Sequence, residues 1–453
     1  MAKSKYSTTP VVTDKMPPGI PYIIGNEAAE RFCYYGMRGI LVVYMTKYLM
    51  DAQGNLDCMT EEVAKGWYHF FMALIYFTPF LGAILSDIFW GKYKTILNLS
   101  LIYTLGCAAL ALDQTRLGLF LGLTLIAIGS GGIKPCVSAN VGDQFGSKNA
   151  HLLSKVFGWF YFSVNAGSLL SMAITPVLLE RFGLHYGPRV ALGVPGLFML
   201  AATIIFWMGR YKFVHVPPSG IASFRETFSI ANLKIIRNLL WIFLPIPLFW
   251  SLFDQSSSAW IFQASRMDLH FFGYELLPAQ THIFNPLLVL IFIPIFNYGL
   301  YPALNKLFKL TPLRKIGIGM SITAVSFLMA ALIEHWIVDL GEKPTIWWQV
   351  LAYMFLTTSE VMVSITCLEF SYTQAPKKLK SLIMAIYYLS VTAGNLFTSL
   401  VNFYINDPVT GQNKLGPVEY YIFFAIAMVC ANILFVFIAA RYKETPQNEA
   451  LNA

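Results

Sequence analysis

The chain has 453 residues, of which 56% are hydrophobic and only 12% are charged, with a mean hydropathy of +0.58. A soluble domain carries about 25% charged residues, so the composition excludes an ordinary water-soluble globule and points to lipid as the solvent. The net charge of +8 reads as an excess of Lys and Arg in cytoplasmic loops, so no nucleic-acid partner is expected.

Residues 1–20 contain Pro17 and Pro18, have no apolar core, and read as a cytoplasmic tail rather than a signal peptide. Apolar runs long enough to span a bilayer, about 20 residues each, follow in order. They lie near 21–49, 64–89, 95–113, 117–139, 152–180, 188–209, 238–263, 279–305, 315–337, 346–372, 379–405 and 418–441. Tyr and Trp recur near the ends of these runs, as interfacial anchoring requires. The six cysteines have no metal or disulfide spacing and read as small packing residues.

Positive charge alternates between loops. The N-terminal tail, Lys92 and Lys94, Lys148, the 210–237 segment, Lys306 to Lys315, Lys377 to Lys380 and the C-terminal tail hold most of the Lys and Arg. These sit on one side, so both termini are expected to be cytoplasmic. An even helix count requires the same. The longest loop, 211–237, carries Pro217, Pro218, Arg225 and Glu226 and is too polar to cross. It separates a six-helix bundle over 21–210 from another over 238–442, with a tail at 443–453. The expected fold class is an all-α membrane protein with twelve transmembrane helices. Two six-helix bundles with the substrate between them are the layout of the major facilitator fold. The short apolar stretch from Phe228 to Ile236 is expected on the cytoplasmic membrane surface.

An ionisable group at membrane depth costs about 2.5–3.5 kcal/mol on insertion scales, so each needs a partner or a task. The first run carries Glu27, Glu30, Arg31 and Arg38. At helical spacing Glu27, Tyr34 and Arg38 fall within roughly 20° of one line, with Glu30 and Arg31 beside it. Four charges on one stripe exceed what packing needs. Isolated charges follow: His69 in the second run, Lys134 in the fourth, Asp254 in the seventh, and Glu360 and Glu369 in the tenth. Taken alone, His69 reads as a packing histidine bonded to a backbone carbonyl, and Glu369 as an interfacial side chain. Lys134 ends Gly129-Ser130-Gly131-Gly132-Ile133-Lys134, which lacks the spacing of a phosphate loop. Its glycines suit close helix packing. Tyr161, Asn165 and Ser168 share a helical stripe, as do Glu360, Ser364 and Cys367, while Trp250 precedes Asp254 by a turn and Asn285 precedes a proline. Cations from one half and a carboxylate from the other suit a zwitterionic substrate.

These residues lie in recognisable patterns. Glu27-Ala28-Ala29-Glu30-Arg31-Phe32-Cys33-Tyr34-Tyr35-Gly36 resembles the E-x-x-E-R-F-x-Y-Y-G motif of the proton-coupled oligopeptide transporter family. Gly82 to Asp87 with Gly91-Lys92, Gly132-Ile133-Lys134-Pro135 with Gly142-Asp143-Gln144-Phe145, and Phe160 to Asn165 with Gly167-Ser168 are similar to further motifs of that family. Phe249-Trp250, Phe253-Asp254-Gln255 and Glu360 to Pro376 extend the likeness into the second half.

The resemblance implies a proton-coupled symporter of di- and tripeptides in a multi-pass membrane, functional as a monomer and without a cofactor or metal. In such proteins the positions matching Arg31, Arg38 and Lys134 are associated with the peptide carboxylate, and Glu360 with the amine. Those matching Tyr34, Tyr35, Tyr44, Tyr76, Tyr161, Asn165, Trp250, Asn285 and Tyr387 are associated with the peptide cavity. Glu27, Glu30, Arg31, His69, Asp254 and Lys134 match proton-coupling positions, and for His69 this reverses the local reading. The linker is too short for two extra helices, and the connection after the ninth helix is too short for a large external domain. That suggests a compact bacterial inner-membrane member. Tyr387 stands where Trp is frequent, and Asn297 where animal members are acidic. A carrier of nitrate or another small anion and a multidrug exporter remain the alternatives. An enzyme finds least support, since no nucleophile–base set is present.

Overall fold

The computed structural model describes residues 6–221, 230–374, 380–407 and 413–442. With no water in a bilayer core, each segment must satisfy its own backbone polar groups, and the apolar runs become helices. These are α1 (Ile20–Lys47), α2 (Glu61–Leu85, extended by a π turn over Ser86–Trp90), α3 (Lys92–Leu112), α4 (Arg116–Asp143), α5 (Leu153–Arg181) and α6 (Gly183–Met208). The seventh, α7, comes in pieces: Ile230–Phe243, Ile246–Phe253, a 3-10 turn over Asp254–Ser257, and Ala259–Ala264. In α8 a 3-10 turn over Pro278–Ile283 leads into Phe284–Ile295, a π turn Phe296–Leu300 and Tyr301–Leu307. Then follow α9 (Pro312–Val338), α10 (Trp347–Glu360, a π turn Val361–Ile365, Thr366–Gln374), α11 (Lys380–Ile405) and α12 (Pro417–Ala439).

Local chemistry fixes several boundaries. Thr115 and Thr311 cap α4 and α9 by accepting from the backbone N–H of Gly118 and Arg314. Proline opens α1, α9 and α12, where its missing N–H costs no helix bond. Among the described residues nine helices, and the bent pair in α7, are long and apolar enough to cross a membrane. The first helix is too charged to be counted with them, although it is 28 residues long.

Contacts divide the chain into two compact units, Met1–Met59 with Leu74–Thr227, and Thr60–Ala73 with Phe228–Ala453. In the first, α1 packs on α5 and α6, and α3 on α4 and α6. In the second, α9 packs on α10 and α12, α8 on α10, and α11 on the Ile246–Phe253 piece of α7. By its contacts the opening half of α2 groups with the second unit. Its Gly66 accepts a hydrogen bond from Ser399 at 2.8 Å, and a Cβ on that glycine would lie 2.6 Å from the Phe403 ring.

One helix boundary also shifts. The helix leading into the seventh span begins at Ile230 rather than 238, and Ile230 to Ile236 is continuous with it. No Pro or Gly interrupts Ile230–Phe243, and the helix runs on until Pro245, where it bends by 45°. Phe228 and the rest of 222–229 lie outside the described residues, as does the tail 443–453. The N-terminal tail is docked. Ser7 bridges to Val214, the His215 N–H donates to the Ser7 carbonyl at 2.8 Å, and the Tyr6 ring stacks on His215 at 4.3 Å. A short hairpin, β1 (His270–Phe271) with β2 (Tyr274–Glu275), also interrupts the connection between α7 and α8.

Candidate functional site

In the first unit the motif residues of α1 close on one another. Arg31 Nε lies 2.8 Å from Glu27 Oε1 and 2.7 Å from Glu30 Oε2, and all three residues are buried. One guanidinium thus holds two carboxyl groups, and with both ionised the triad carries one negative charge in excess. Lys134 of α4 is within electrostatic reach of Glu27. Its ammonium sits 4.3 Å from the centroid of the Tyr34 ring and 4.1 Å from that of Tyr76, close enough for cation–π attraction. The Tyr35 ring meets Tyr34 edge-on at 5.0 Å.

The glycines around Lys134 set this approach. A Cβ on Gly82 would lie 2.1 Å from the Gly131 carbonyl oxygen, and one on Gly131 would lie 2.7 Å from the Thr78 carbonyl oxygen. Thr78 Oγ1 donates to the Ala127 carbonyl at 2.6 Å. The helices α2 and α4 therefore touch backbone to backbone, as the glycine run suggests. Arg38 and Tyr44, further along α1, are buried. On α5, Asn165 donates to the Tyr161 carbonyl and is buried, whereas Tyr161 itself is 42% exposed. At the start of α3, Lys92 holds Asp143 at 2.7 Å, joining two motifs that are distant in sequence.

The second unit holds a chain of buried polar groups around His69. Asn395 of α11 donates from Nδ2 to Asp254 Oδ2 at 2.6 Å, and its Oδ1 lies 2.8 Å from His69 Nδ1. On the other side His69 Nε2 lies 2.9 Å from Ser258 Oγ. An ionised carboxylate only accepts, so the Asn395 amide must turn its NH2 toward Asp254 and its oxygen toward His69. The neutral imidazole then carries its proton on Nδ1, and Nε2 accepts from Ser258. Nε2 is accordingly where an added proton goes. The local expectation of a bond to a backbone carbonyl is corrected: His69 meets side chains from α11 and the broken part of α7.

Glu360 ends the first piece of α10. Asn285 Nδ2 donates to its Oε2 at 2.7 Å and to Thr357 Oγ1 at 3.2 Å. The π turn Val361–Ile365 follows at once, so the 3.6-residue spacing used to align Glu360, Ser364 and Cys367 does not hold across it. Tyr387 donates to the Ser364 carbonyl at 3.3 Å, and its ring lies 6.2 Å from that of Trp250. Glu369 is exposed, in keeping with an interfacial role. Sequence reasoning missed Asn395 and Ser258 altogether. Their only signal is polarity inside an apolar run, shared with many packing residues. Among the described residues no group of three or more His, Cys, Asp or Glu is placed to hold a metal ion.

Helices of this number and order, with a buried ion cluster in the first unit and a buried polar chain in the second, define a multi-pass membrane protein of the major facilitator fold. The model of the POT family matches residues 93–231 and 221–416, and the chain belongs to that family. It is 39% identical over 361 residues to Peptide transporter family 1 of Drosophila melanogaster, covering 70% of this chain and 48% of that one. It is 37% identical over 366 residues to Solute carrier family 15 member 2 of Homo sapiens, covering 70% and 49%. The chain spans about half the length of the curated relatives it matches. Among solved structures it is similar to the POT family transporter PepTSo, with a TM-score of 0.84 and 36% identity over 94% of this chain and 98% of that one. An auto-inhibited POT family peptide transporter gives a TM-score of 0.84 and 34% identity over 95% and 98%.

Proposed function

We propose that this protein imports di- and tripeptides together with protons by alternating access, in a bacterial inner membrane with both termini cytoplasmic. The observation that carries the reading is the division of charge between the units: Arg31 and Lys134 in one, and Glu360, held by Asn285, in the other. A peptide is a zwitterion. Its carboxylate goes to Arg31, Arg38 and Lys134, and its amine to Glu360. A bare anion such as nitrate would need no carboxylate, and a carrier of lipophilic drugs no paired cations.

Coupling follows from the ion pairs. Protonating Glu27 or Glu30 removes one of the two charges that hold Arg31, which frees the guanidinium for a substrate carboxylate. Protonating His69 at Nε2 turns that nitrogen into a donor, and the Ser258 hydroxyl must then give its hydrogen elsewhere, the Gln255 carbonyl at 3.5 Å being the nearby acceptor. The histidine class, titrating near pH 6.5, suits the acidity outside a cell. Substrate and proton each favour one arrangement of the carrier, which is all that coupling requires. The chemistry is transport alone, with no enzymatic step.

The test is uptake into proteoliposomes. Dialanine should accumulate when the lumen is alkaline and be displaced by other dipeptides, but not by nitrate, lipophilic cations or single amino acids. Equal uptake with and without the proton gradient overturns the symport reading.

A further inference from the structure

Between the start of α9 and the end of α12, both in the second unit, lies a groove of about 870 Å³. The two helices pack on each other, yet at this end small residues leave the space between them open. Gly317 of α9, Ala439 of α12 and Ala440 just beyond it line the groove and bring no large side chain. A Cβ added to Gly317 would lie 3.7 Å from the Phe435 ring, an ordinary contact, so this position borders open space rather than a tight crossing. Both helices have spanning length and composition, and their shared end therefore lies at a membrane surface. The deep end of the groove is marked by Ser321, which accepts from Asn432 Nδ2 at 2.7 Å. At 1.5 Å per residue, Ser321 lies about 10 Å below Arg314.

The mouth of the groove is basic. Lys309 and Arg314 line it, and both are exposed. Arg314 Nη1 donates to the Lys309 carbonyl at 2.6 Å, which fixes the guanidinium beside that loop and engages only one of its N–H groups. Thr311 caps α9 between the two residues, and the helix dipole adds positive potential at the same level. No Asp or Glu is among the described residues that line the groove.

We propose that this groove binds an anionic phospholipid of the bilayer, with the phosphate against Lys309 and Arg314 and an acyl chain along α9 and α12. The site is divided as the molecule is: cations at the surface, and apolar wall beneath them. Basic pockets between membrane helices recruit anionic headgroups in this way. A zwitterionic lipid would bring its own ammonium beside the two cations, and a free phosphate would use the mouth alone. The segment 443–453 has one large apolar residue, Leu451, and matches the apolar wall poorly. None of the groove residues belongs to the peptide or proton sites proposed above, so the inference stands apart from the transport reading.

The experiment places the full chain in phosphatidylcholine nanodiscs with a little phosphatidylglycerol that carries a diazirine on its acyl chain. After irradiation, adducts should map to peptides covering 309–321 and 432–442, and phosphatidylcholine with the same diazirine should label them far less. A Lys or Arg near an anionic lipid surface changes binding about fivefold, so Lys309→Gln with Arg314→Gln should raise the half-saturating phosphatidylglycerol concentration about 30-fold. Gly317→Leu fills the groove without altering charge and should also remove the label. In detergent, phosphatidylglycerol should raise the unfolding midpoint of the parent protein but not of the doubly substituted one, since only a bound lipid stabilises. Equal labelling by the two lipids, an undiminished label in the doubly substituted protein, or displacement by inorganic phosphate as readily as by unlabelled phosphatidylglycerol overturns the proposal.

Discussion

Glu360→Gln separates charge from shape at the proposed amine site. The glutamine has the same size, and its amide oxygen can still accept from Asn285, which donates to Glu360 at 2.7 Å. What disappears is the negative charge. A hydrogen bond to a charged partner contributes about 1.5–3 kcal/mol, against about 1 kcal/mol for a neutral one. Glu360 is half-buried, so solvent screens part of the attraction, and a loss of about 0.5–1.5 kcal/mol is expected. That is about a 2- to 12-fold weaker peptide affinity. Calorimetric titration of a dipeptide into the detergent-solubilised protein measures it directly. The same measurement with an N-acetylated dipeptide closes a double-mutant cycle. Acetylation removes the amine charge, so it should cost the parent protein a similar factor and Glu360→Gln almost nothing. Unaltered affinity in the variant, or losses that simply add, would refute the pairing of the peptide amine with Glu360.

Glu30→Gln removes one of two carboxylates on Arg31; proton-driven accumulation should be lost while peptide counterflow between compartments persists, and accumulation at the parental level would count against the switch. His69→Gln should flatten the dependence of uptake on external pH, and Asp254→Asn should move its midpoint downward, because the carboxylate acting through Asn395 favours the imidazolium. Gly82→Ala forces a Cβ to within 2.1 Å of the Gly131 carbonyl, so a loss of stability of at least about 1–3 kcal/mol should appear as a lower unfolding midpoint in detergent. Burial lowers the pKa of His215 beneath the docked tail. A depressed histidine contributes stability that is present above its free pKa near 6.5 and lost as pH falls below it. Protection from hydrogen exchange over residues 6–15, taken relative to the intrinsic exchange rate at each pH, should therefore fall on acidification from pH 7.5 to 5.5, and His215→Gln should remove that change in protection.

The sequence by itself determined the membrane class, the number of helices and the charged first helix, because these are local properties. An apolar run of spanning length must become a helix in lipid, and a charge within it is conspicuous against its neighbours. The α1 helix keeps one unbroken 3.6-residue period, so the stripe of Glu27, Glu30 and Arg31 could be read before any coordinates. Where the period breaks, local reading fails. The π turn after Glu360 and the 3-10 turn at Asp254 change which side chains share a face, and no residue type announces either turn. Only the tertiary structure decided the partners of His69, since Ser258 and Asn395 lie 189 and 326 positions away in sequence. It also decided that the opening half of α2 belongs with the second unit although it follows α1 directly. Serine and asparagine in an apolar helix are common and cheap, so their sequence signal is weak. Their meaning comes from the atom they face, which packing alone selects.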